Sequence, residues 1–198
     1  MRIILFIFSV LFAMQASAQR KFHFDIDYQY SLGLYEHNKF TSWSRKDFSM
    51  SGHTIHLAGR YDITPKFSVG LGTGIDVPLN PDGGWMLPVY ATVRYKPLVS
   101  ARGFYTFADL GCGFIPKTEE YDYNVFKGGI ANLGAGYTWY MSKNFGLNFK
   151  VGYGLMFYKG VAQFFLDDNW LSDFTMIEWE EKFYSFRHSV IFSMGLTF

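Results

Sequence analysis

Apolar and polar residues alternate along almost the whole chain beyond residue 20. The first such segment, Phe22 to Leu34, has an apolar residue at every second position. Side chains two positions apart lie on one face of a β-strand, whereas a helix would scatter them around its circumference. The alternation returns in seven further segments, at residues 55–63, 67–77, 85–96, 104–114, 132–141, 145–157 and 186–198. The pattern therefore predicts eight strands, although Tyr105 and Phe107 blur it in the fifth.

The connections between these segments alternate in length. Short links fall at 64–66, 97–103 and 142–144, and longer ones at 36–48, 78–84, 115–126 and 159–183. Outer-membrane barrels have short periplasmic turns and longer extracellular loops. The predicted fold is thus all-β: an eight-stranded antiparallel up-and-down transmembrane β-barrel with both termini on the periplasmic side.

The two faces of the strands differ in a way that favours lipid on the outside. A water-soluble barrel of the lipocalin type would also alternate, but with its apolar face turned inward. Here the non-aromatic face is rich in Gly and Ser with few charges, whereas a water-facing surface carries many. The chain also has 22 Phe and 14 Tyr, too many bulky rings for the narrow interior of eight strands. We therefore expect the apolar face to contact lipid.

The start of the chain has the features of a secretory signal. Arg2 precedes an apolar run from Ile3 to Met14, and Ala16-Ser17-Ala18 offers a small-x-small cleavage pattern. The apolar run is shorter than the roughly 20 residues of a membrane-spanning helix. We predict a cleaved signal peptide at 1–18 and a barrel domain at 19–198; a retained anchor helix is the alternative.

The closing stretch, Val190 to Phe198, is an alternating apolar strand that ends in Phe. It resembles the C-terminal assembly signal of outer-membrane barrels, and residues 19–198 as a whole resemble the small eight-stranded outer-membrane β-barrel superfamily (outer membrane protein beta-barrel domain). The resemblance implies a location in the outer membrane of a Gram-negative cell. It also implies that Phe198 is recognised by the barrel-assembly machinery. It implies no particular activity.

The inward-facing positions carry few charges, and the two signs balance. Because buried charge is tolerated only when it is paired, we expect a lumenal network that fills the barrel, with Arg94 and Asp109 as a pair on neighbouring strands. The other reading of these charges is a selectivity lining for ions, although only much wider barrels leave an aqueous channel. The predicted network comprises Asp25, Asp27, Arg60, Asp62, Asp76, Arg94, Lys96, Asp109, Lys150 and Arg187.

Catalytic and metal chemistry find little support in the sequence. A lipid-modifying site would need Ser, His and an acid close together near the outer leaflet. His188 and His53 fall near the outer ends of strands, but Ser189 points away from the face that carries His188. His53 and His56 lie on opposite faces of one strand, so they cannot share a metal ion. We expect no catalytic residues, no metal and no cofactor, and Cys112 reads as an ordinary residue of the apolar face.

The longest connection, 159–183, mixes aromatic and acidic residues. Such a loop could present a binding patch, because Trp and other aromatics are favoured at interaction hot spots. Alternatively, part of it extends the flanking strands or folds over the barrel mouth. The predicted patch comprises Phe164, Phe165, Asp167, Asp168, Trp170 and Trp179.

The overall charge narrows the range of partners. The formal net charge is +1, whereas a nucleic-acid-binding domain is usually strongly basic. We expect a non-enzymatic outer-membrane barrel with a structural or surface-interaction role, whose partners are outer-membrane lipid, the assembly machinery and an extracellular or envelope protein. The alternatives are a lipid A-modifying enzyme, a narrow channel, or an accessory barrel of a secretion or uptake system.

Overall fold

A computed structural model describes residues 21–47, 49–79, 85–98, 103–114, 127–142, 145–166 and 177–198. The predicted signal peptide lies outside this part of the chain. The described residues form nine β-strands and include no helix long and apolar enough to cross a membrane. The strands are β1 (Phe22–Asn38), β2 (Ser42–Ser44), β3 (Gly52–Thr64), β4 (Phe67–Pro78), β5 (Leu87–Tyr95), β6 (Phe104–Phe114), β7 (Lys127–Tyr140), β8 (Gly146–Leu166) and β9 (Ile177–Thr197).

The eight long strands close into an antiparallel barrel. Each of them pairs with its sequence neighbour, and β1 pairs with β9 to complete the ring. The ninth strand, β2, is only three residues long and pairs with Tyr35–His37 of β1. The eight-stranded barrel predicted from the alternation is confirmed. We call the end of the barrel that holds Phe22 and Phe198 the terminal end, and the opposite end the far end.

The apolar face of the barrel points outward. Leu71, Leu110 and Leu133 are 71%, 67% and 64% exposed, whereas Asp25 and Asn148, on the inner face, are 0% exposed. A water-soluble barrel would place these leucines inside and the carboxylates outside. The lipocalin-type alternative is therefore excluded by the direction in which the side chains point.

The rings of Tyr90, Tyr105 and Phe107 nevertheless lie inside the barrel. Each lies over a glycine directly opposite it on the neighbouring strand, where a Cβ atom would collide with the ring. The pairs are Tyr90 over Gly72, Tyr105 over Gly136 and Phe107 over Gly134. The two residues that blur the alternation of β6, Tyr105 and Phe107, are thus lumenal, and the glycines make room for them.

A β-bulge at Leu34 changes which face of β1 points inward. In the pairing with β9, Gly33 lies opposite Ser189 and Tyr35 lies opposite His188, so Leu34 is the extra residue. A bulge re-aims the side chains that follow it. Before the bulge, odd-numbered residues such as Asp27 face the lumen. After it, Glu36 and Asn38 do, with 2% and 4% of their surface exposed.

The hairpin of β8 and β9 is longer than the rest of the barrel. Its ladder continues from Lys159 opposite Tyr184 to Leu166 opposite Ile177, within what the sequence suggested was a loop. Both strands have 21 residues, whereas about 9–11 suffice to cross a membrane. The extra pairs therefore extend the hairpin beyond the far end, as the strand-extension alternative proposed.

Candidate functional site

An ionic cluster fills the lumen near the terminal end. Its centre is the carboxylate of Asp25, which accepts hydrogen bonds from Arg60 (Nε at 2.5 Å, Nη2 at 3.0 Å) and from Arg94 Nη2 at 2.7 Å. These three side chains are at most 5% exposed. The described residues include no ion pair between Arg94 and Asp109, so our expected pairing was wrong. Arg94 reaches across the narrow lumen to β1 instead.

A second cluster of polar side chains lies beside the first and fills the adjacent part of the lumen. Asp27 accepts hydrogen bonds from Lys150 Nζ at 2.6 Å and from Asn148 Nδ2 at 2.9 Å. Asn148 in turn accepts a hydrogen bond from the Tyr105 hydroxyl. The Arg94 guanidinium lies over the Tyr105 ring, 4.6 Å from its centroid, which joins the two clusters into one layer. We call these seven residues, Asp25, Asp27, Arg60, Arg94, Tyr105, Asn148 and Lys150, the lumenal layer.

The other predicted network residues lie above and below this layer. Asp62, near the terminal end, contacts His23 at 3.1 Å and Lys96 at 3.7 Å. Asp76, near the far end, accepts a hydrogen bond from Thr54 at 2.7 Å. Asp109 lies on the inner face of β6, paired with Thr92 of β5. The charges predicted from the sequence thus form several separate groups along the lumen.

The predicted network lacked the carboxylate of Glu36, and also Tyr105 and Asn148 of the lumenal layer. Glu36 accepts hydrogen bonds from Arg187 Nε and Ser185 Oγ, both at 2.7 Å, and from the Tyr158 hydroxyl. We had assigned Glu36 to a loop, because the alternation of β1 breaks after Leu34. The break in the alternation was the signal in the sequence, because after a β-bulge the residues that had faced outward face inward.

Towards the far end from the lumenal layer, the lumen contains a partly open cavity of about 60 Å³. Much of its wall is apolar, and it includes Met50, Met86, Ile130 and Met156. His56 also lines it, with its ring edge-on to Tyr90 at 5.2 Å between centroids. Both imidazole nitrogens of His56 are buried and have no hydrogen-bond partner among the described residues.

The outer surface carries the two histidines that we considered as catalytic candidates. His53 Nδ1 is 2.5 Å from the Tyr28 hydroxyl, and His188 Nδ1 is hydrogen-bonded to Tyr153. Ser189 points into the lumen and donates to the carbonyl of Gly154 at 3.2 Å. In the described part of the chain, therefore, neither histidine has a serine and an acid in a catalytic arrangement.

Metal ligands are equally scattered. Within the described ranges no three His, Cys, Asp or Glu side chains lie close enough together to hold a metal ion. His56 faces the lumen and His53 the outside, which agrees with their opposite parity on β3. Cys112 is exposed on the outer face of β6.

The connection after β1 is ordered by local hydrogen bonds. Asp47 accepts from the Ser44 backbone N–H at 2.6 Å and from the Ser44 hydroxyl at 2.9 Å. These bonds stabilise the ionised carboxylate and hold the pKa of Asp47 below its usual range. The far end of the barrel therefore carries at least one structured loop.

The residues of the predicted loop patch divide between two regions. Phe164 of β8 and Trp179 of β9 are opposite each other in the extended hairpin, and Phe165 follows Phe164 along β8. Asp167, Asp168 and Trp170 lie outside the described residues. The structure thus brings two of the aromatic positions to the same level of the hairpin.

A closed antiparallel barrel with an apolar exterior and a polar lumen is the architecture of outer-membrane β-barrels. Among solved structures, the chain is similar to the outer membrane protein OprG from Pseudomonas aeruginosa, with 14% identity, 89% of this chain and 94% of that chain covered, and a TM-score of 0.48. It is also similar to Neisserial surface protein A, with 9% identity, coverage of 87% and 95%, and a TM-score of 0.47.

A third similar structure is that of the outer membrane protein AlkL in lipid bilayers, with 11% identity, coverage of 88% and 89%, and a TM-score of 0.37. No protein-family model and no curated protein matches the chain. The chain has the fold of a small eight-stranded outer-membrane β-barrel.

Proposed function

We propose that this protein is a non-enzymatic, non-conducting outer-membrane barrel that acts through its far end, at the cell surface. The observation that carries the proposal is the lumenal layer. Its central carboxylate, Asp25, is fully buried and bound by two arginines. An ion crossing the barrel would have to break these charge-assisted bonds in a desolvated interior, at a cost of several kcal/mol.

The proposed orientation places the termini in the periplasm and the far end outside the cell. Connections at the terminal end are short, such as the one between Thr64 and Phe67, and outer-membrane barrels have short periplasmic turns. The C-terminal Phe198 is held at the barrel rim by reciprocal backbone hydrogen bonds with Phe24, at 2.9 and 3.1 Å. This position is accessible to assembly machinery on the periplasmic side.

The far end offers the larger surface for interaction. Eight residues of β8, 159–166, continue beyond Tyr158, which adds roughly 26 Å of strand at about 3.3 Å per residue. The paired backbone gives this projection a fixed direction, and aromatic residues occur along it. An envelope or extracellular protein is the partner class that such a projecting hairpin suits, because edge and hairpin surfaces are readily used for recognition.

Electrical recording in planar bilayers tests the absence of conduction. We expect the unaltered protein to give no ion current above that of a bare bilayer. A triple variant, Asp25→Ser, Arg60→Ser and Arg94→Ser, removes the centre of the layer and should conduct if it folds. A wide porin, purified in the same way, controls for reconstitution. Steady single-channel steps from the unaltered protein would contradict the proposal and support the narrow-channel alternative.

Trypsin treatment of intact cells tests the orientation. We expect cleavage after Lys39, Arg45, Lys46 and Lys182, which lie at the far end, and protection of Arg60 and Lys150 in the lumen. Mass spectrometry of the released peptides identifies the cleaved sites. Lys66, in the short turn between β3 and β4, is the matched control because it is exposed but at the terminal end. Cleavage at Lys66 in intact cells would reverse the proposed orientation.

A further inference from the structure

Two lysines lie side by side on the outer face of the extended hairpin. Lys159 of β8 and Lys182 of β9 are both exposed. In the ladder between the two strands, Lys159 is opposite Tyr184, which is 60% exposed, and Lys182 is opposite Val161. The two lysines are therefore diagonal neighbours on one face of the hairpin, with their Cβ atoms about 7 Å apart.

Neither of these lysines has a carboxylate partner among the described residues. The cations on the inner faces of the same two strands differ in this respect, because Lys150 binds Asp27 and Arg187 binds Glu36. Two like charges close together repel each other, and an anion that lies between them removes the repulsion. The lysine pair is thus a cationic patch whose charge is balanced by no described side chain.

The height of the patch along the barrel indicates which molecules it meets. Phe186, on the outer face of β9, lies twelve positions before Phe198 at the terminal end. This separation is about 40 Å along a strand at about 3.3 Å per residue, and roughly 30 Å along the membrane normal at a tilt of about 40°. Because the hydrocarbon core of a bilayer is about 30 Å thick, Phe186 lies near its far boundary. Lys182, and Lys159 two positions beyond Phe157, then lie at the level of the lipid headgroups.

The surface next to the patch, on its membrane side, is aromatic. The rings of Phe157 and Phe186 contact each other with 6.4 Å between their centroids, and both are exposed. His37 of β1 is exposed and lies opposite Phe186. Long lysine side chains lie along such apolar surfaces while their ammonium groups stay in the polar layer. A molecule with an anionic head and apolar chains therefore complements both the lysines and the rings below them.

We propose that Lys159 and Lys182 bind the phosphate group of a membrane lipid, whose acyl chains pack over Phe157 and Phe186. Two ammonium groups beside one phosphate donate charge-assisted hydrogen bonds to it, and the Tyr184 hydroxyl is a further donor between them. The inference rests on the proposed function in one respect: with the far end outside the cell, this lipid belongs to the outer leaflet.

Native mass spectrometry of the purified protein in nanodiscs measures which lipids it retains. The nanodiscs contain phosphatidylcholine with a small fraction of either phosphatidic acid, which has a phosphate monoester headgroup, or diacylglycerol, which has the same acyl chains and no phosphate. We expect saturable retention of one phosphatidic acid molecule and no retention of diacylglycerol. Both leaflets of a nanodisc contain the same lipids, so a reversed orientation in the trypsin experiment would change the leaflet and not this result.

The double variant Lys159→Gln/Lys182→Gln removes both charges and keeps two polar side chains. Its affinity for phosphatidic acid should fall at least about tenfold, as for the loss of two surface lysines. Lys159→Arg/Lys182→Arg should stay within about threefold, because arginine also binds phosphate. The matched control, Lys21→Gln/Lys66→Gln, removes two exposed lysines at the terminal end. It should change the affinity less than about twofold, because that end lies more than a screening length away.

Three results would overturn the proposal. Equal retention of phosphatidic acid and diacylglycerol by the unaltered protein would mean that phosphate is not recognised. Equal losses in the two glutamine variants would mean that net charge attracts the lipid and that there is no site. Displacement of phosphatidic acid by inorganic phosphate at the same concentration would mean that the patch binds free phosphate. If the glutamine variant fails to fold, the salt dependence of the unaltered protein decides the question, and retention that does not weaken with salt would refute the lysine site.

Discussion

The two halves of the lumen are filled in different ways. The half near the terminal end is packed with buried charges, and Asp25 and Asn148 are fully buried there with defined partners. The half near the far end is lined in part by methionines and holds a cavity, and the His56 imidazole in its wall makes no hydrogen bond within the described part of the chain. Because strand number and tilt set the width of the barrel, this difference comes from the side chains. The terminal half is thus packed around buried ion pairs, whereas the far half retains a cavity.

The difference can be traced to particular residues. Asp25 and Asp27 lie two positions apart on β1, so both carboxylates face the lumen, where they bind Arg60 and Lys150. His56 is opposite Asp27 on β1 and Gly74 on β4, and its ring packs edge-on against Tyr90. In the terminal half, Arg94 reaches across the lumen to Asp25, whereas in the far half Arg187 binds Glu36 directly opposite it on the neighbouring strand.

Removal of Arg94 should have the largest effect, because it leaves the buried Asp25 with one cation. We expect Arg94→Ala to lower the free energy of unfolding by about 3–5 kcal/mol. Arg187→Ala is the comparison from the far half, where the arginine is 21% exposed. It removes the cation from Glu36, but the carboxylate keeps its hydrogen bonds from the Ser185 and Tyr158 hydroxyls, so we expect a cost of about 1–3 kcal/mol. Urea titration in lipid vesicles, followed by tryptophan fluorescence, measures both. Equal losses would mean that the two halves are equally rigid.

The strands and their faces could be predicted from the sequence because alternation is a local property. The partner of Arg94 could not be predicted in this way. Its odd or even position on the strand shows that the side chain points inward, but not which carboxylate it contacts across the lumen. Asp109 is on a neighbouring strand, yet the long Arg94 side chain reaches Asp25 on β1. In a narrow barrel, contacts across the interior compete with those between adjacent strands.

Glu36 and Tyr105 show two further limits of assigning a side chain to the inner or outer face from its odd or even position. The bulge at Leu34 moves Glu36 from the expected loop to the lumen, and its position depends on the pairing with β9 rather than on β1 alone. Tyr105 lies inside because Gly136 on β7 leaves space for its ring. Both placements depend on the register between strands, which the sequence of a single strand does not contain.

A single added methyl group gives the smallest and sharpest comparison of the two halves. Ser68, in the terminal half, is 1% exposed and lies 3.4 Å from Arg60 Nη1, whereas Ser189 lines the cavity. Ser→Thr keeps the hydroxyl at both sites and adds the same volume. In the packed half the methyl must displace neighbours, so Ser68→Thr should cost about 1–3 kcal/mol.

Ser189 lines the cavity, so we expect the same methyl to be accommodated there and Ser189→Thr to change the unfolding free energy by less than about 0.5 kcal/mol. The comparison uses the same urea titration, and a preference of strands for Thr would affect both variants alike. If Ser189→Thr proved as costly as Ser68→Thr, the far half would be as tightly packed as the terminal half.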